Sequence, residues 1–534
     1  MLPPVMNTLL SMRGVKGFIL FALLGAMAVL GQAPYFLWPL TIICLALLKI
    51  GLDLRVTSDR ALRAGFGTGF GFGFGMFLAG LYWVGSAFIA RGPGFVPFMP
   101  FAVLALVSGL ALFWAVGGTL YIWLVKKQKN GICAALIFAC VFILVEYARS
   151  TLFGGLPWNL PGYIFRAGGA VSQIAAWSGI YGLNVLVFVL AAGLALFLQS
   201  PRRFGLLALG LVMLAGVYGF GQFRLRHAVV KYVEGVHLRI VHANIPQRDK
   251  FDPNKYVSNI NTYLRLTRAP GFDKVTHVIW PEGAVPGLML EDTGLIETLN
   301  RVFTEGTHTP PVLIFQTLRA EAQSGTSRPL YYNAATAMTF KAGEPPRITP
   351  FYDKQKLVPF GEFIPAQTAL EKLGLKSLST ALESMSPGRT GATPLIPGLP
   401  PGRFQICYEI IFPGFSEKSR PAGGQRARFI LNLSNDAWYG NSTGPRQHVN
   451  QARYRAIEEG LPLIRATSGG ISGVFDPYGR PLQTLGIGEE GVVDAALPQP
   501  VSGSRYKFGI NYKIHLIIVL ILIGCSLIIR RNVY

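Results

Sequence analysis

Apolar residues fall into long, nearly unbroken stretches over the first 222 positions and again at the end of the chain, at about 17–30, 35–51, 64–90, 98–125, 132–148, 171–199, 204–222 and 514–529. A helix needs ~20 mostly apolar residues to cross the hydrocarbon of a bilayer, so the pattern predicts eight membrane-spanning helices, the first and last near the lower limit. Between them the pattern changes. Short apolar, β-branched runs bounded by Gly, Pro or Asn predict strands over His237–Ala243, His277–Trp280, Val312–Gln316, Tyr332–Phe340, Phe404–Tyr408, Phe429–Leu433 and Leu463–Thr467. Helical periodicity fits Tyr256–Thr267, Gly294–Thr304 and Arg446–Glu459, and residues 384–403, rich in Pro and Gly, read as a long loop. The expected organisation is a seven-span region over 1–222, a layered α/β domain over 223–512, and a final membrane helix with its tail over 513–534. Gly31–Pro34 reads as a turn into the second span, so the first is expected to be an uncleaved helix and not a signal peptide.

One stretch invites a second reading. Gly65, Gly67, Gly69, Gly71, Gly73 and Gly75 alternate with other residues, mostly Phe, as in a strand. Open sheet edges are not tolerated in hydrocarbon, whereas small residues let helix backbones pack closely there, so a helix is expected. Trp38, Tyr82, Trp83 and Trp158 are expected to be anchors at the membrane–water interface.

Charge fixes the orientation of these spans. Only 14% of the 534 residues are charged, yet the formal net charge is +22. Residues 1–222 hold fourteen Lys or Arg against three acids, while 223–512 hold thirty-two against twenty-four. The excess therefore sits disproportionately among apolar spans, which argues against nucleic-acid binding. Arg13 and Lys16, Lys49 to Arg63, Lys126 to Lys129, Arg202 and Arg203, and Arg530 and Arg531 occupy alternate span ends. By the positive-inside rule both termini are cytoplasmic, and the 223–512 domain lies outside.

Of the five cysteines, four fall in predicted spans, which leaves Cys407 as the one thiol of the exported domain. An unpaired thiol in an oxidising compartment is either buried or reactive, and at the end of a strand those two cases look alike. A nucleophilic thiol needs a base or a positive neighbour. Glu282, in Trp280-Pro281-Glu282-Gly283-Ala284, and Lys354, in Tyr352-Asp353-Lys354-Gln355-Lys356, are candidates, although each alone reads as an ordinary surface charge. Rival signatures are missing: there is no GxxxxGK[ST] loop, no complete GxSxG elbow, and no HExxH or CxxC, so neither a metal nor a cofactor is expected.

Read together, WPEGA, YDKQKLVPFGE and ICYEI, in that order, resemble the Glu, Lys and Cys motifs of the nitrilase superfamily. With LVPFGE and CYEI enclosed by membrane spans, the chain resembles the apolipoprotein N-acyltransferases, the membrane-embedded branch of that superfamily. Further agreements are Ala33-Pro34, Pro157-Trp158-Asn159, Asn244-Ile245-Pro246-Gln247, Tyr332-Asn333, the run Asn432 to Gly440, and Pro462 to Thr467. Phe251 stands where the family commonly has Trp, and Leu461 where it has Arg.

The resemblance implies a polytopic helical membrane protein carrying an inserted four-layer α-β-β-α sandwich. It implies Glu282 as general base, Lys354 as stabiliser of the oxyanion and Cys407 as nucleophile. Glu362, Glu409 and Asn333 are implied as supports, with the backbone N–H of Tyr408 as a second oxyanion donor. The implied reaction moves the sn-1 acyl chain of a phospholipid, phosphatidylethanolamine by preference, through a Cys407 thioester to the α-amino group of a diacylglyceryl-cysteine on an apolipoprotein. The implied setting is the bacterial inner membrane, with a monomeric enzyme and a periplasmic catalytic domain. Residues 363–376 are expected to form an arm with an apolar side that dips into the outer leaflet or packs in the core. A membrane-tethered amidase would use the same three residues, and a transporter with an accessory domain is the alternative from another class.

Overall fold

The computed structural model describes residues 3–323, 329–364, 384–389, 391–415 and 420–501, together with position 524. The final span expected at 514–529 and most of the expected arm, from 365 to 376, lie outside the described residues. The chain divides into two compact units. Among the described residues the first comprises 3–228 and Ser442–Glu459, and the second comprises Val229–Asn441 and 460–501.

In the first unit six helical segments are long and apolar enough to cross a membrane: Gly14–Gly31, Ala61–Arg91, Pro93–Val125, Gly131–Gly154, Val171–Gln199 and Pro201–Arg226. Their α-helical parts are α1 (Gly14–Ala28), α3 (Ala61–Leu81), α4 (Met99–Val125), α5 (Gly131–Thr151), α6 (Ala175–Gln199) and α7 (Gly205–Arg226). The segment expected at 35–51 is a shorter helix, α2 (Trp38–Asp53), whose 16 residues reach ~24 Å against a hydrocarbon thickness of ~30 Å.

The glycine alternation lies in α3, and its purpose is close approach. A Cβ at Gly69 would fall 2.2 Å from the Trp114 carbonyl oxygen of α4, and one at Gly75 would fall 1.8 Å from the Ala22 carbonyl oxygen of α1. Gly67 faces open space instead. One edge of the helix thus packs backbone-to-backbone on α4 and another on α1, a geometry that any side chain at the contact would prevent.

Polar groups inside this unit are matched locally. Glu146, buried in α5, accepts a hydrogen bond from Trp114 Nε1 at 2.8 Å and pairs with Arg149 one turn on. Trp83 and Trp158 are not interfacial anchors. Both are buried, their ring centroids are 4.8 Å apart, and Trp158 Nε1 donates to Gln447 Oε1 at 2.8 Å. Tyr82 is half exposed.

Gln447 belongs to the helix Gly444–Glu459, which the sequence predicts as part of the α/β domain and which packs with the apolar helices of the first unit. Its polar side chains bind backbone groups there. Asn450 Oδ1 accepts from the Ala167 N–H at 3.0 Å, and Tyr454 Oη donates to the Phe165 carbonyl at 2.6 Å. The helical path of α6 breaks at Gly179, where φ is +63°, and the Ile180 N–H freed by that break donates to Glu458 Oε1 at 2.8 Å. A carboxylate in this place caps the segment that follows as a side-chain acceptor and complements its dipole.

The second unit holds two sheets. The larger has the order β14-β1-β2-β3-β4-β5, with β6 also pairing β4; the smaller has the order β13-β12-β11-β10-β8. In the larger sheet β1 is Tyr232–His242, β2 His277–Ile279, β3 Val312–Glu321, β4 Leu330–Lys341, β5 Glu344–Ile348, β6 Tyr352–Asp353 and β14 Gly491–Pro498. The smaller is built from β8 (Gly402–Ile406), β10 (Phe429–Asn435), β11 (Leu463–Ser468), β12 (Ser472–Phe475) and β13 (Pro481–Leu485). A separate pair joins β7 (Ala392–Thr393) to β9 (Arg420–Pro421).

Side-chain alternation assigns the layers. Leu238, Ile240, Ile279 and Ile314 meet Phe404, Ile406, Leu431 and Leu433 in the core between the sheets. The opposite parity, Val278, Trp280, Leu313 and Phe315, packs against Tyr263, Leu295, Leu299 and Phe303. These last four lie on two helices of the second unit, at Tyr256–Thr267 and Thr293–Thr304. Helix, sheet and sheet of the expected sandwich are therefore within the second unit, while the helix that the chain inserts between β10 and β11 is grouped with the first.

Gly75→Val forces a shift of the α1–α3 contact and should lower the thermal midpoint of the detergent-solubilised protein by several degrees. Gly67→Ala, with open space at its Cβ and a gain in helix propensity of ~1 kcal/mol, should leave the midpoint equal or raise it. Equal midpoints for the Gly75→Val variant and the parent would remove the close-packing account.

Candidate active site

Cys407 does not end a strand, as the sequence suggests. It is the first residue of a turn of 3-10 helix, Cys407–Ile411, directly after β8, and its φ is +52°. A side chain other than glycine in this region costs on the order of 1–3 kcal/mol. The geometry is held by Glu409. Its Oε2 accepts from the Ile406 N–H at 2.7 Å and from Tyr352 Oη at 2.9 Å, and its Oε1 accepts from the N–H groups of Gln355 at 2.7 Å and Lys356 at 3.1 Å. Among the described residues Glu409 makes no salt bridge; its carboxylate is taken up by these four donors. It ties the cysteine turn to the segment that carries Lys354, and burial pushes it up to about 7 against the pull of those backbone donors.

Lys354 follows β6, whose residues Tyr352 and Asp353 pair with Ala335 and Ala334 of β4. That register sets the Lys354 N–H on the Asn333 carbonyl at 2.8 Å and brings the two side chains to one place. Asn333 Nδ2 donates to Glu282 Oε1 at 2.8 Å and to Glu362 Oε1 at 2.9 Å. Lys354 Nζ lies 2.9 Å from Glu362 Oε1 and 3.8 Å from Glu282 Oε1. Glu362 Oε2 is fixed in turn by the Val358 N–H at 2.8 Å. Glu282 is placed by its own backbone: its carbonyl accepts from Ser468 Oγ at 3.1 Å, and the Gly283 N–H donates to Gln316 Oε1 at 2.9 Å.

The buried Glu282, Lys354, Asn333, Glu409 and Cys407 and the partly buried Glu362 are thus brought into one cluster, and Tyr408 follows the cysteine with its ring against Phe412 at 4.9 Å. The ionisation of the cluster follows from its burial. Desolvation opposes the Lys354 ammonium, but Glu362, Glu282 and the cysteine outweigh it and hold the lysine above its ordinary range. Burial raises Glu282, with Lys354 pulling it back. Burial and the Glu282 charge raise Cys407 well above an ordinary thiol, and Lys354 with the Asn435 N–H only partly offsets them.

Cys407 therefore rests as a thiol, and to act as a nucleophile it would need a base. Glu282 Oε2 has no N–H or O–H donor among the described residues, and the Cys407 thiol is the group that approaches that carboxylate. The arrangement can remove a proton from sulfur, form a thioester, and meet a developing oxyanion with a fixed ammonium.

Sequence reasoning passes over two residues here. Asn435 supplies the N–H at the Cys407 thiol, and its side chain joins Gln247 and the buried Lys250. The only signal is that both lie in or beside motifs of the resemblance, Asn244–Gln247 and Asn432–Gly440. Of the two departures from the family pattern, Phe251 is exposed with its ring 6.3 Å from Trp438, and Leu461 is buried.

The chain is similar to known proteins along most of its length. Residues 24–193 match the family model of the apolipoprotein N-acyltransferase N-terminal domain, and residues 238–506 match that of the carbon-nitrogen hydrolases. An apolipoprotein N-acyltransferase of Rhodopseudomonas palustris is 33% identical over 505 residues, 92% of this chain and 91% of the relative. One of Caulobacter vibrioides is 35% identical over 492 residues, and one of Pseudomonas aeruginosa 32% identical over 496, each alignment covering nine-tenths of both chains. With both halves of the chain matched and the similarity running nearly end to end, this protein belongs to the apolipoprotein N-acyltransferase family.

Proposed function

We propose that this chain moves the sn-1 acyl chain of a phospholipid, through a thioester on Cys407, to the α-amino group of a diacylglyceryl-cysteine at an apolipoprotein N-terminus. The observation that carries this reading is the buried Glu282–Asn333–Lys354–Glu362 cluster facing a resting thiol. The named activity of the relatives selects acyl transfer over hydrolysis of small amides.

Glu282 takes the Cys407 proton as sulfur attacks the ester carbonyl. Lys354 and the backbone N–H of Tyr408 receive the oxyanion. Collapse breaks the ester C–O bond, the departing glycerol oxygen takes the proton from Glu282, and a lysophospholipid leaves. In the second half-reaction the acceptor amine attacks the thioester, its N–H proton passes to Glu282, and the C–S bond breaks. The sulfur regains that proton, so neither half consumes one.

Both substrates carry lipid chains, so the reaction belongs at a bilayer. The six apolar helices agree with that setting. In the proposed topology α2 and the segment at 514–529 complete eight spans of a bacterial inner membrane, the termini are cytoplasmic, and the monomer works on the periplasmic side. Phosphatidylethanolamine is the proposed donor.

Membranes containing the protein, supplied with acyl-labelled phosphatidylethanolamine, should yield a hydroxylamine-labile adduct that Cys407→Ala abolishes. Its absence from the parent protein would refute the mechanism. Glu282→Gln should slow adduct formation ~10²–10⁴-fold, as for loss of a general base, and Lys354→Met ~10²–10³-fold, as for loss of an oxyanion partner. The check is a single-turnover rate at matched protein levels. For the topology, a phosphatase reporter fused after residue 230 should be active and one fused after residue 128 inactive; the reverse would invert the orientation.

A further inference from the structure

A second buried lysine lies beside Glu282 and Cys407 and, among the described residues, makes no ion pair within 4.0 Å. Strand β1 ends at His242, Asn244 turns the chain at φ +47°, and Pro246 opens the helical turn Gln247–Lys250. This delivers Lys250 into the second unit's interior, 4% exposed, where Nζ donates to Asn435 Oδ1 at 2.9 Å. Asn435 is the residue whose backbone N–H meets the Cys407 thiol, and its Nδ2 donates to Gln247 Oε1 at 2.9 Å. On the other side, a Cβ built on Gly283, next to Glu282, would fall 4.0 Å from Lys250 Nζ. The amine is therefore flanked by both the nucleophile's partner and the base's neighbour. Gln247 Nε2, also buried, has no partner among the described residues and leaves a donor unused in the same corner.

The chemistry proposed above leaves one proton unassigned. Within each half-reaction a single proton cycles through Glu282 and returns. An α-amino group has an ordinary pKa of about 7.7–8.0 and so arrives mostly as an ammonium near neutral pH. It then brings one proton more than the thioester cycle can absorb, and an ammonium has no lone pair with which to attack.

Resting on the acyl-transfer reading, we propose that Lys250 is a second base of this site, which takes the surplus proton from the acceptor's ammonium group and so delivers a neutral amine to the thioester. The transfer balances: the acceptor's N–H bond breaks, a proton joins the Lys250 lone pair, and water takes it after the product leaves. The cause that makes a lysine fit for this is burial without a counter-ion, which brings Lys250 down to about 7. The charges facing it, Glu282, Asp436 and the Cys407 sulfur, pull the other way without overcoming burial, and His242 feels the Lys250 charge in turn. Lys354 differs because Glu362 neutralises it; one lysine stays charged for the oxyanion and the other is free to be neutral.

The test separates the two halves of the reaction in the full-length enzyme. Parent, Lys250→Met and Lys250→Arg proteins are loaded with acyl-labelled phosphatidylethanolamine, and the adduct is then chased with a synthetic diacylated lipopeptide between about pH 6 and about pH 9. Both variants should form the adduct within about twofold of the parent rate, which also shows that they fold. At neutral pH both should discharge it ~10²-fold more slowly, the scale of general-base catalysis. The deficit should shrink above about pH 8, where the acceptor is already a neutral amine. Arginine keeps the charge but accepts no proton, so a Lys250→Arg enzyme with normal discharge would overturn the proposal. Loss of adduct formation together with discharge would overturn it too, since that marks a role in the donor's headgroup or in folding. A parent enzyme that forms no adduct defeats the acyl-transfer reading itself, and this outcome is told apart by the parent lane alone.

Discussion

The site depends on one ammonium group. Lys354 Nζ is the cation shared by two carboxylates, the partly buried Glu362 at 2.9 Å and the buried Glu282 at 3.8 Å, and Asn333 reaches both with a single amide nitrogen. A desolvated ion costs several kcal/mol unless it is paired and hydrogen-bonded, and two like charges in a dry pocket cost more. Lys354 relieves that repulsion only as long as it stays charged. Its charge is therefore a structural necessity before it is a catalytic one, and the same necessity makes it a permanent donor for an oxyanion. Burial raises Glu282 despite this pairing, and it raises the Cys407 thiol as well, so a general base of raised strength is what the proposed mechanism has to work with.

Geometry reaches this pair through backbone hydrogen bonds more than through side-chain packing. The pairing of β6 with β4 sets Lys354 on Asn333, and four donors on Glu409 hold the cysteine turn to the lysine segment. The left-handed φ of Cys407 survives because Glu409 grips the peptide just before it. Strain stored at one residue is offset by hydrogen bonds to a residue two positions later, and the sulfur is thereby turned out of the path of β8. Strand ends serve this purpose well, since the sheet fixes where the chain leaves it and leaves the next residue free to turn.

The parts of this arrangement that the sequence makes legible are those with a strong local pattern. The spans follow from apolar runs, the strands at His277 and Val312 from β-branched runs, and Glu282, Lys354 and Cys407 from three motifs in fixed order. What is not legible is pairing between distant segments. Nothing in the run Phe404 to Tyr408 says that the strand stops at Ile406, because the stop is made by Glu409 capturing the Ile406 N–H together with two N–H groups some fifty residues away. Short strands β5, β12 and β13 escape notice because their residues are mixed in polarity and gain order only from their neighbours. The helix expected at Arg446–Glu459 is assigned by its sequence to the α/β domain for the same reason. Its Arg, Gln, His and Asn side chains are buried against irregular backbone, whose carbonyl and N–H groups need polar partners. Trp83 and Trp158 fall to the same misjudgement, since an indole N–H can be satisfied by a buried Gln447 as well as by water.

A resting thiol suits an enzyme that must not react early. A permanent thiolate in a dry site would stand charged beside Glu282 and would be open to oxidation whenever no ester was bound. The fold avoids both by burying Cys407 and setting a carboxylate next to it, which drives the proton onto sulfur until a carbonyl arrives to take up the charge. In the proposed mechanism the negative charge then moves from Glu282, through the transient thiolate, onto the substrate oxygen, where Lys354 meets it. At no stage does the cluster carry a second uncompensated anion. That condition also limits what may enter next: an acceptor that arrives as a cation would bind the Glu282 carboxylate as an ion pair and stall there. In that mechanism the amine must come neutral, or surrender a proton before it reaches the thioester, and the buried Lys250, 4.0 Å from where a Cβ on Gly283 would stand, is the amine at hand for that task.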